Sequence, residues 1–258
     1  MHITCIGLNH KTAPVAAREK LAFTQKQQPE FLRQLRSQGL AEEGVVLSTC
    51  NRVELYTLSD PSSSEEIRSR LLSFHELRLE DLGDCLYEHT QAGSVEHLFG
   101  VASGLDSMIV GETEILGQVK SAYEAALDSG TTGKVLNQLF QRALNTAKEV
   151  RTRTGIGEGT VSVGGAAVHL AEKIFTQLSG KRVVVVGAGA MGQAVLQSLV
   201  GRGVRAVVVS NRRLDRARDL AQAHGATAVQ LDADLDYLLD PDIAICSTAC
   251  PVPVIHEN

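Results

Sequence analysis

Apolar residues in the second half of the chain form short β-branched runs that alternate with stripes at helical spacing. Runs of this kind, bounded by glycine and polar residues, predict buried parallel strands, and the stripes predict the helices that connect them. The predicted strands are residues 182–187, 204–209, 228–231 and 243–247, and the predicted helices are residues 193–200 and 214–224.

The first half of the chain alternates less regularly. Its apolar runs predict strands at residues 3–8, 45–48 and 53–58, with the last two as partners. Apolar residues spaced three and four apart predict helices around residues 31–35, 67–74, 115–127 and 135–147. This mixture is typical of an α+β domain.

A glycine-rich segment separates the two halves. Residues 153–159 contain three glycines in seven positions, which favours a linker. A chain of 258 residues is long enough for about two domains. We therefore predict an α/β protein with an α+β domain at residues 1–152, a linker at 153–160 and a Rossmann-like parallel-sheet domain at 161–258.

Composition is that of a soluble globular protein, with 43% hydrophobic and 21% charged residues. No apolar run approaches the ~18 residues of a membrane span, and the first residues lack the features of a signal peptide. The five cysteines are widely spaced and form no C-x-x-C, which argues against a disulfide framework or structural zinc. We expect a cytoplasmic protein without membrane association or a metal.

The charge does not indicate a nucleic-acid partner. Residues 1–150 hold 14 Lys and Arg against 20 Asp and Glu, and the remaining residues hold 11 against 10. A nucleic-acid-binding domain usually carries a basic surface. A local patch is still possible, and its candidates are Lys11, Arg18, Lys20, Arg33 and Arg36.

A G-x-G-x-x-G sequence follows the first predicted strand of the second domain and opens its helix. In this setting the sequence is typical of a dinucleotide-binding turn, where the phosphates face the helix N-terminus. The alternative is a glycine-rich turn that binds nothing. The six residues of the turn are Gly187, Ala188, Gly189, Ala190, Met191 and Gly192.

The residues after the second predicted strand favour NADP over NAD. An NAD site places an acidic residue about 20 positions after the glycine turn, to bind the ribose 2′-hydroxyl. Here Arg212 and Arg213 follow the strand, and the first acid is Asp215. Guanidinium groups suit a 2′-phosphate. Alternatively, the two arginines only solvate the start of a helix.

Cys50 lies in a polar segment between two predicted strands, with Thr49 before it and Asn51 and Arg52 after it. Most single cysteines are small buried hydrophobes. A turn, however, would bring this thiol near solvent, and Arg52 could favour the thiolate. A thiolate beside a hydride donor suggests capture of an acyl group as a thioester, followed by reduction to an aldehyde. The other cysteines (Cys5, Cys85, Cys246 and Cys250) are expected to be structural.

Other polar residues offer less specific signals. His97 is on a predicted helix and could be a general acid, but the residue pattern does not favour it over His10, His75 or His89. A polar loop leads into the helix at 115–127, and its acids either stabilise the helix dipole or recognise an amino group. These loop and helix residues are Glu112, Glu114 and Gln118.

Several segments together resemble the glutamyl-tRNA reductase family. They follow the family order over nearly the whole chain. The matching segments are GLNHKTAP at 7–14, LSTCNRVELY at 47–56, HLF at 97–99, VASGLDSM at 101–108, GE at 111–112, ILGQVK at 115–120, VGAGAMG at 186–192 and SNRR at 210–213.

The resemblance implies an activity and the residues that perform it. Cys50 would attack the ester that joins glutamate to tRNA(Glu), and NADPH would reduce the thioester to glutamate-1-semialdehyde, the first committed step of the C5 route to 5-aminolevulinate and porphyrins. His97 corresponds to a histidine important for activity. The implied substrate site comprises Thr49, Cys50, Asn51, Arg52, Ser107, Glu112, Thr113, Glu114 and Gln118, and the NADPH site comprises residues 187–192.

The resemblance also implies partners and two departures. Family members form homodimers and pass their aldehyde to glutamate-1-semialdehyde aminomutase, a transient partner. Many relatives have Gln where this chain has Glu114, which when ionised only accepts hydrogen bonds. The family also continues past Asn258 into dimerisation helices, so we expect an incomplete NADP-binding domain and weak reduction by this chain.

Two other functions remain open from the residues. One is a binding protein that holds NADP or tRNA with an inert thiol. The other is a semialdehyde or amino-acid dehydrogenase that uses no RNA. Loss of aldehyde formation in Cys50→Ser would argue against the first, and a strict requirement for the tRNA ester would argue against the second.

Overall fold

The structure is a computed structural model that describes residues 1–157, 163–175, 177–204, 206–231, 241–248 and 254. The chain divides into two compact units, Met1–Glu158 and Gly159–Asn258. Residues 158–160 of the predicted linker, and Cys250, which was expected to be structural, lie outside the described residues.

An antiparallel sheet forms the centre of the first unit. The order of its described strands is β2-β3-β1-β4, so the strand at the N-terminus lies in the middle. The three predicted strands are confirmed, whereas β4 was not predicted because it is short and only partly buried. The strands are β1 (His2–Asn9), β2 (Glu43–Ser48), β3 (Arg52–Ser59) and β4 (Tyr87–Thr90).

Helices cover this sheet, and they include all four that the apolar spacing predicts. Aromatic side chains join them to the sheet: the Phe140 ring lies 5.4 Å from that of Tyr56 and 5.7 Å from that of Tyr123. Three short 3₁₀ turns occur at Pro61–Ser63, Gly83–Cys85 and Gly155–Gly157. The α-helices are α1 (Val15–Leu21), α2 (Gln27–Ser37), α3 (Ser64–Phe74), α4 (Leu79–Leu82), α5 (Ala92–Ala102), α6 (Glu114–Asp128) and α7 (Lys134–Arg153).

The second unit contains a parallel sheet whose described strands have the order β7-β6-β5-β8. Its strands alternate with helices, which confirms the Rossmann-like pattern predicted from the sequence. The elements are α8 (Val163–Phe175), β5 (Arg182–Val186), α9 (Ala190–Gly201), β6 (Ala206–Asn211), α10 (Leu214–His224), β7 (Thr227–Gln230) and β8 (Ile243–Cys246).

The starts of α9 and β6 differ from the prediction by three and two residues. Helix α9 begins at Ala190 rather than at residue 193, because the glycine-rich first turn has no apolar periodicity to reveal it. Val204 precedes strand β6, since its N–H donates to the carbonyl of Leu199 at 3.2 Å and closes the end of α9. Among the described residues, no helix combines the length and apolar character needed to cross a membrane.

Candidate active site

Cys50 lies at the tip of the turn that joins β2 to β3. Thr49 fixes this turn: its Oγ1 accepts hydrogen bonds from the backbone N–H groups of Asn51 and Arg52, both at 3.1 Å. The Thr49 N–H also donates to the Arg52 carbonyl at 2.8 Å. The side chain of Cys50 is exposed. The sequence-based expectation that a turn brings this thiol near solvent is confirmed.

The surroundings of Cys50 raise the pKa of its thiol. Partial burial is the largest cause, a backbone hydrogen bond opposes it, and the charge of Glu114 raises the pKa further. Arg18 lowers the pKa, and Glu112 raises it. The thiolate is the nucleophilic form of cysteine. The site therefore presents an accessible thiol that is mostly protonated at neutral pH.

Arg52 does not have the role expected of it from the sequence. Its side chain is buried, and its Nη1 donates to Glu54 Oε1 at 2.6 Å. Its Nη2 donates to the carbonyl of Asp106 at 2.6 Å and to the Asp106 carboxylate at 3.1 Å. The prediction that Arg52 promotes the Cys50 thiolate is wrong, because the guanidinium is held by these two acids and the pKa of Cys50 is raised.

Glu54 is the centre of a buried polar cluster that the sequence did not reveal. Its Oε1 accepts from Arg52 at 2.6 Å, Tyr87 at 2.7 Å and His97 at 2.9 Å, and its Oε2 accepts from Tyr56 at 2.7 Å. Burial alone would raise the pKa of Glu54, but the hydrogen bond from His97 and the charge of Arg52 help lower it to about 2. The sequence did carry one signal for this cluster, which is an acidic residue inside a strand whose other residues are buried.

His97 belongs to this cluster. Its Nε2 lies 2.9 Å from Glu54 Oε1, and its ring stacks on that of His89 with centroids 4.5 Å apart. Within the described residues, no hydrogen bond joins His97 to Cys50. His10 contacts the Cys50 turn more directly, because its backbone N–H donates to the carbonyl of Asn51 at 2.9 Å. Burial, followed by the charge of Arg52, lowers the pKa of His10.

One group of side chains in the described residues has the spacing of metal ligands. The ligand atoms of Cys5, Glu54 and His97 all lie within 4.8 Å of one another. Both oxygens of Glu54 already accept hydrogen bonds, and burial raises the pKa of the Cys5 thiol well above its usual value. The cluster is therefore built as a hydrogen-bonded support, and a cation would have to displace its proton donors.

Glu112, in the acidic loop before α6, binds backbone N–H groups at the N-terminus of that helix. Glu112 Oε2 accepts from the N–H of Glu114 at 2.9 Å, and Oε1 accepts from the N–H of Ile115 at 3.1 Å. The hydroxyl of Ser107 donates to Glu112 Oε1 at 3.3 Å. Glu112 thus satisfies helix N-terminal donors, as the helix-dipole interpretation expects. Glu114 is exposed beside it, and burial and the charge of Glu112 raise the pKa of Glu114.

The remaining residues of the implied substrate site lie on the same helix. Thr113 directly precedes α6 and is exposed, and Gln118 is half-buried. Gln118 is four residues after Glu114, so the two lie on one face of α6. The charges of Glu112 and Glu114 both act on Cys50. The start of α6 therefore lies close enough to the turn at residues 49–52 to contribute to one site.

The basic patch suggested by the sequence is largely engaged in internal contacts. Arg18 is buried, and its Nη1 donates to Asn51 Oδ1 at 3.3 Å. Lys11 forms a short ion pair with Asp106. Arg36 donates to the carbonyl of Gly130 at 2.7 Å. These cations support the fold around the turn more than they offer a free basic surface.

The glycine turn of the second unit requires glycine at two positions. Gly187 has a φ of +114°, and a Cβ there would lie 2.1 Å from the carbonyl oxygen of Ser247. A Cβ on Gly192 would lie 2.0 Å from the carbonyl oxygen of Gly187. A Cβ on Gly189 would meet nothing within 4 Å, which leaves open space above the turn. These are the requirements of a dinucleotide-binding turn.

A cavity of about 830 Å³ lies at this turn. Gly187, Ala188 and Gly189 line one part of it, whereas Ala190, Met191 and Gly192 form the first turn of α9. Arg212 and Arg213 line the cavity as well. The sequence interpretation missed six further lining residues, the polar Asn211, Arg216, Ser247 and Thr248 and the apolar Leu231 and Val254.

Two of the missed residues fit a dinucleotide. Arg216 adds a third guanidinium to the cavity, one turn into α10. The buried Oγ of Ser247 has no hydrogen-bond partner among the described residues, so it can bind a polar group in the cavity. The sequence carried a signal for Arg216, which lies three residues after Arg213, the residue that directly precedes α10.

The fold and the site define a class: an α+β domain with an accessible cysteine, followed by a Rossmann-like domain with a nicotinamide-dinucleotide cavity. Residues 6–154 match the family described as "Glutamyl-tRNAGlu reductase, N-terminal domain". Residues 169–258 match the family described as "Shikimate / quinate 5-dehydrogenase". The chain belongs to the glutamyl-tRNA reductase family.

Relatives support this assignment over the full length of the chain. Glutamyl-tRNA reductases of Marinobacter nauticus and Ectopseudomonas mendocina are 43% and 46% identical to it over 258 residues. The structure of "Glutamyl-tRNA Reductase from Methanopyrus kandleri" is 42% identical, covers 98% of the chain and has a TM-score of 0.61. The chain spans 60% of the length of the Marinobacter protein and of the Methanopyrus protein.

Proposed function

We propose that this chain reduces L-glutamyl-tRNA(Glu) to glutamate-1-semialdehyde with NADPH, through a thioester on Cys50. The observation that carries the proposal is the exposed thiol at the tip of the β2–β3 turn, in a chain of this family. Thr49 holds that turn through two hydrogen bonds, so the sulfur has a fixed position from which to attack a large substrate.

In the first step, the Cys50 thiolate attacks the carbonyl carbon of the glutamyl ester. A C–S bond forms, the C–O bond to the terminal ribose breaks, and the ribose oxygen takes up a proton equivalent to the one that the thiol released and leaves as part of the free tRNA. Because the pKa of Cys50 is raised, the reactive fraction is small at neutral pH and increases with pH. The thioester keeps the acyl group activated for reduction.

Recognition of the glutamyl group falls to the polar residues around the turn. Carboxylates suit an α-amino group, and Glu114 is the exposed acid whose charge acts on Cys50. Arg18 supplies the positive charge that acts on the same sulfur. We assign Asn51, Ser107, Thr113 and Gln118 to the same substrate site. His97 and Arg52 act through Glu54, which holds both of them by hydrogen bonds.

The cavity of the second unit supports NADPH as the reductant. Arg212, Arg213 and Arg216 offer three guanidinium groups where an NAD site would have an acid. When bound, the cofactor would supply a hydride to the thioester carbonyl carbon. The C–S bond would then break, which releases the aldehyde and leaves the Cys50 thiolate to take up a proton from solvent. Ser247 Oγ and the open space above Gly189 complete the polar lining.

Intact-mass measurement tests the thioester directly. Mixed with glutamyl-tRNA(Glu) without NADPH, the wild-type chain should gain one glutamyl mass, and mapping should place it on Cys50. Cys50→Ser should gain none, whereas Cys246→Ser, which removes another exposed thiol, should react as wild type. A wild-type chain without an adduct, or an adduct that persists in Cys50→Ser, would overturn the proposal.

The cofactor assignment has its own test. The double variant Arg212→Gln/Arg213→Gln should raise the dissociation constant for NADPH by at least an order of magnitude, because charge-assisted bonds to phosphate are lost. Its affinity for NADH should change little. Equal losses for the two nucleotides would argue that these arginines only support the helix start.

Two partners follow from the proposed reaction. The aldehyde product is reactive, so we propose transfer to glutamate-1-semialdehyde aminomutase as a transient partner. We also propose that a homodimer forms in the full-length relatives. The first proposal predicts weak association of this chain with purified aminomutase in the absence of substrate, which sedimentation can measure.

A further inference from the structure

The first unit has a cavity between two of its helices that the proposed reaction leaves unexplained. Its volume is about 530 Å³, and α6 and α7 provide its walls. Leu116 and Leu144 give it an apolar part, and both are only partly buried. Thr113 lines one end of the cavity and belongs to the proposed substrate site.

Two lysines make this cavity cationic in an otherwise acidic domain. Lys120 and Lys148 both line it, one from each helix. The Nζ of Lys120 lies 3.5 Å from Glu124 in an exposed pair, which contributes little to stability and can be exchanged. Lys148 makes no ion pair in the part of the chain that the structure describes, and the adjacent Glu149 pairs with Arg153 at 2.9 Å.

The loop at one end of the cavity is hydrogen-bonded to the Cys50 turn, because Arg52 donates to Asp106 and the neighbouring Ser107 donates to Glu112. Glu112 and Glu114 flank Thr113, and the charges of both reach Cys50. From Thr113 to Lys120 the helix advances about 10 Å, at 1.5 Å per residue. A strand that passes Thr113 can therefore extend along α6 to the lysines.

We infer that this cavity binds the phosphodiester backbone at the acceptor end of the aminoacylated RNA. Lys120 and Lys148 contact phosphates, Asn145 offers an amide group, and the leucines contact a ribose or base. The inference rests on the proposed function, and it explains how an acidic domain can hold RNA. Because two lysines line the site, affinity depends on salt through few phosphate contacts.

The walls of the cavity are held in place independently of the lysines. Arg151, near the end of α7, donates from Nη1 to the carbonyl of Gly111 at 3.1 Å and from Nη2 to the carbonyl of Glu112. Helix α7 is thereby tied to the loop that begins α6. Gly117 lines the cavity, and a Cβ added there would meet nothing within 4 Å. A larger side chain at Gly117 can fill the space without displacing the fold.

Binding of glutamyl-tRNA(Glu) measured at several salt concentrations tests the inference. Lys120→Gln and Lys148→Gln should each weaken binding and reduce the slope of log affinity against log salt by about 1. Gly117→Leu should weaken binding by filling the cavity, with little effect on the slope. Matched controls are Gly117→Ala, which adds one methyl group, and Lys134→Gln, at the opposite end of α7. Urea unfolding of each variant verifies that it is folded.

The outcomes separate this inference from the proposed function. If both lysine variants keep the affinity and slope of Lys134→Gln, the inference is wrong. A wild-type chain that gains the glutamyl mass while all three cavity variants bind normally leaves the proposed function intact and removes only the subsite. Protection of the lysines from acetylation by inorganic phosphate as strongly as by tRNA would instead indicate a small-anion site and overturn the inference.

Discussion

His97 Nε2 and Arg52 Nη1 donate to the same oxygen, Glu54 Oε1, at 2.9 Å and 2.6 Å. That oxygen connects α5 to the first residue of β3, which directly follows the Cys50 turn. Arg52 in turn holds Asp106 in the loop before α6. A single buried carboxylate thus fixes three segments around the thiol, although it does not itself reach the surface.

Replacing this carboxylate should strongly destabilise the first unit. Glu54→Gln removes the charge that compensates the buried Arg52. Leaving one member of a buried ion pair uncompensated costs about 3–5 kcal/mol. Urea unfolding should show this loss. Tyr87→Phe removes one hydrogen bond to Glu54 and should cost only about 1 kcal/mol, and equal losses in the two variants would show that the charge is unimportant.

The same carboxylate should make stability depend on acidity. The pKa of Glu54 is about 2 in the folded chain, below its ordinary value of 4.5. The stabilisation is therefore complete above pH ~4.5 and decreases as the pH falls towards 2. The free energy of unfolding should fall more steeply in this window for wild type than for Glu54→Gln. Parallel curves would contradict the low pKa.

Glu114 should control the reactivity of Cys50. Its charge raises the pKa of the thiol, so Glu114→Gln should lower that pKa. Alkylation of Cys50 by iodoacetamide should then be faster at pH 7, and its pH midpoint should shift downwards. Glu124→Gln, an exposed acid further along α6, should leave the midpoint unchanged. An unchanged midpoint in Glu114→Gln would show that this acid does not act on the sulfur.

Two glycines of the nucleotide turn should respond differently to one methyl group. Gly192→Ala brings a Cβ to 2.0 Å from the carbonyl oxygen of Gly187, so the turn must move and both stability and NADPH affinity should fall. Gly189→Ala meets nothing within 4 Å, so the fold should persist while the methyl group enters the cavity. Thermal unfolding and NADPH titration distinguish the two, and similar stability for both would contradict the clash.

The local pattern predicted most of the fold. The runs at 182–187 and 204–209 and the helical stripes around 115–127 and 135–147 appear as β5, β6, α6 and α7, because burial imposes a period on the apolar residues of each element. The turn at Cys50 was also predicted from the sequence, because polar residues separate the apolar runs of β2 and β3. Short or glycine-rich segments were missed: β4 is half-exposed, and the first turn of α9 has no apolar period.

The contacts of polar side chains were decided by the tertiary structure alone. Arg52 is two residues from Cys50 in sequence, yet it binds Glu54 and Asp106. His97 proved to share a carboxylate with Arg52, and Arg216 to face the same cavity as Arg212. The sequence by itself indicates which residues are buried, because the spacing of apolar residues along a helix or strand is a local property of that segment. The partner of a buried charge depends on which distant strands and helices meet, and only the folded chain brings those together.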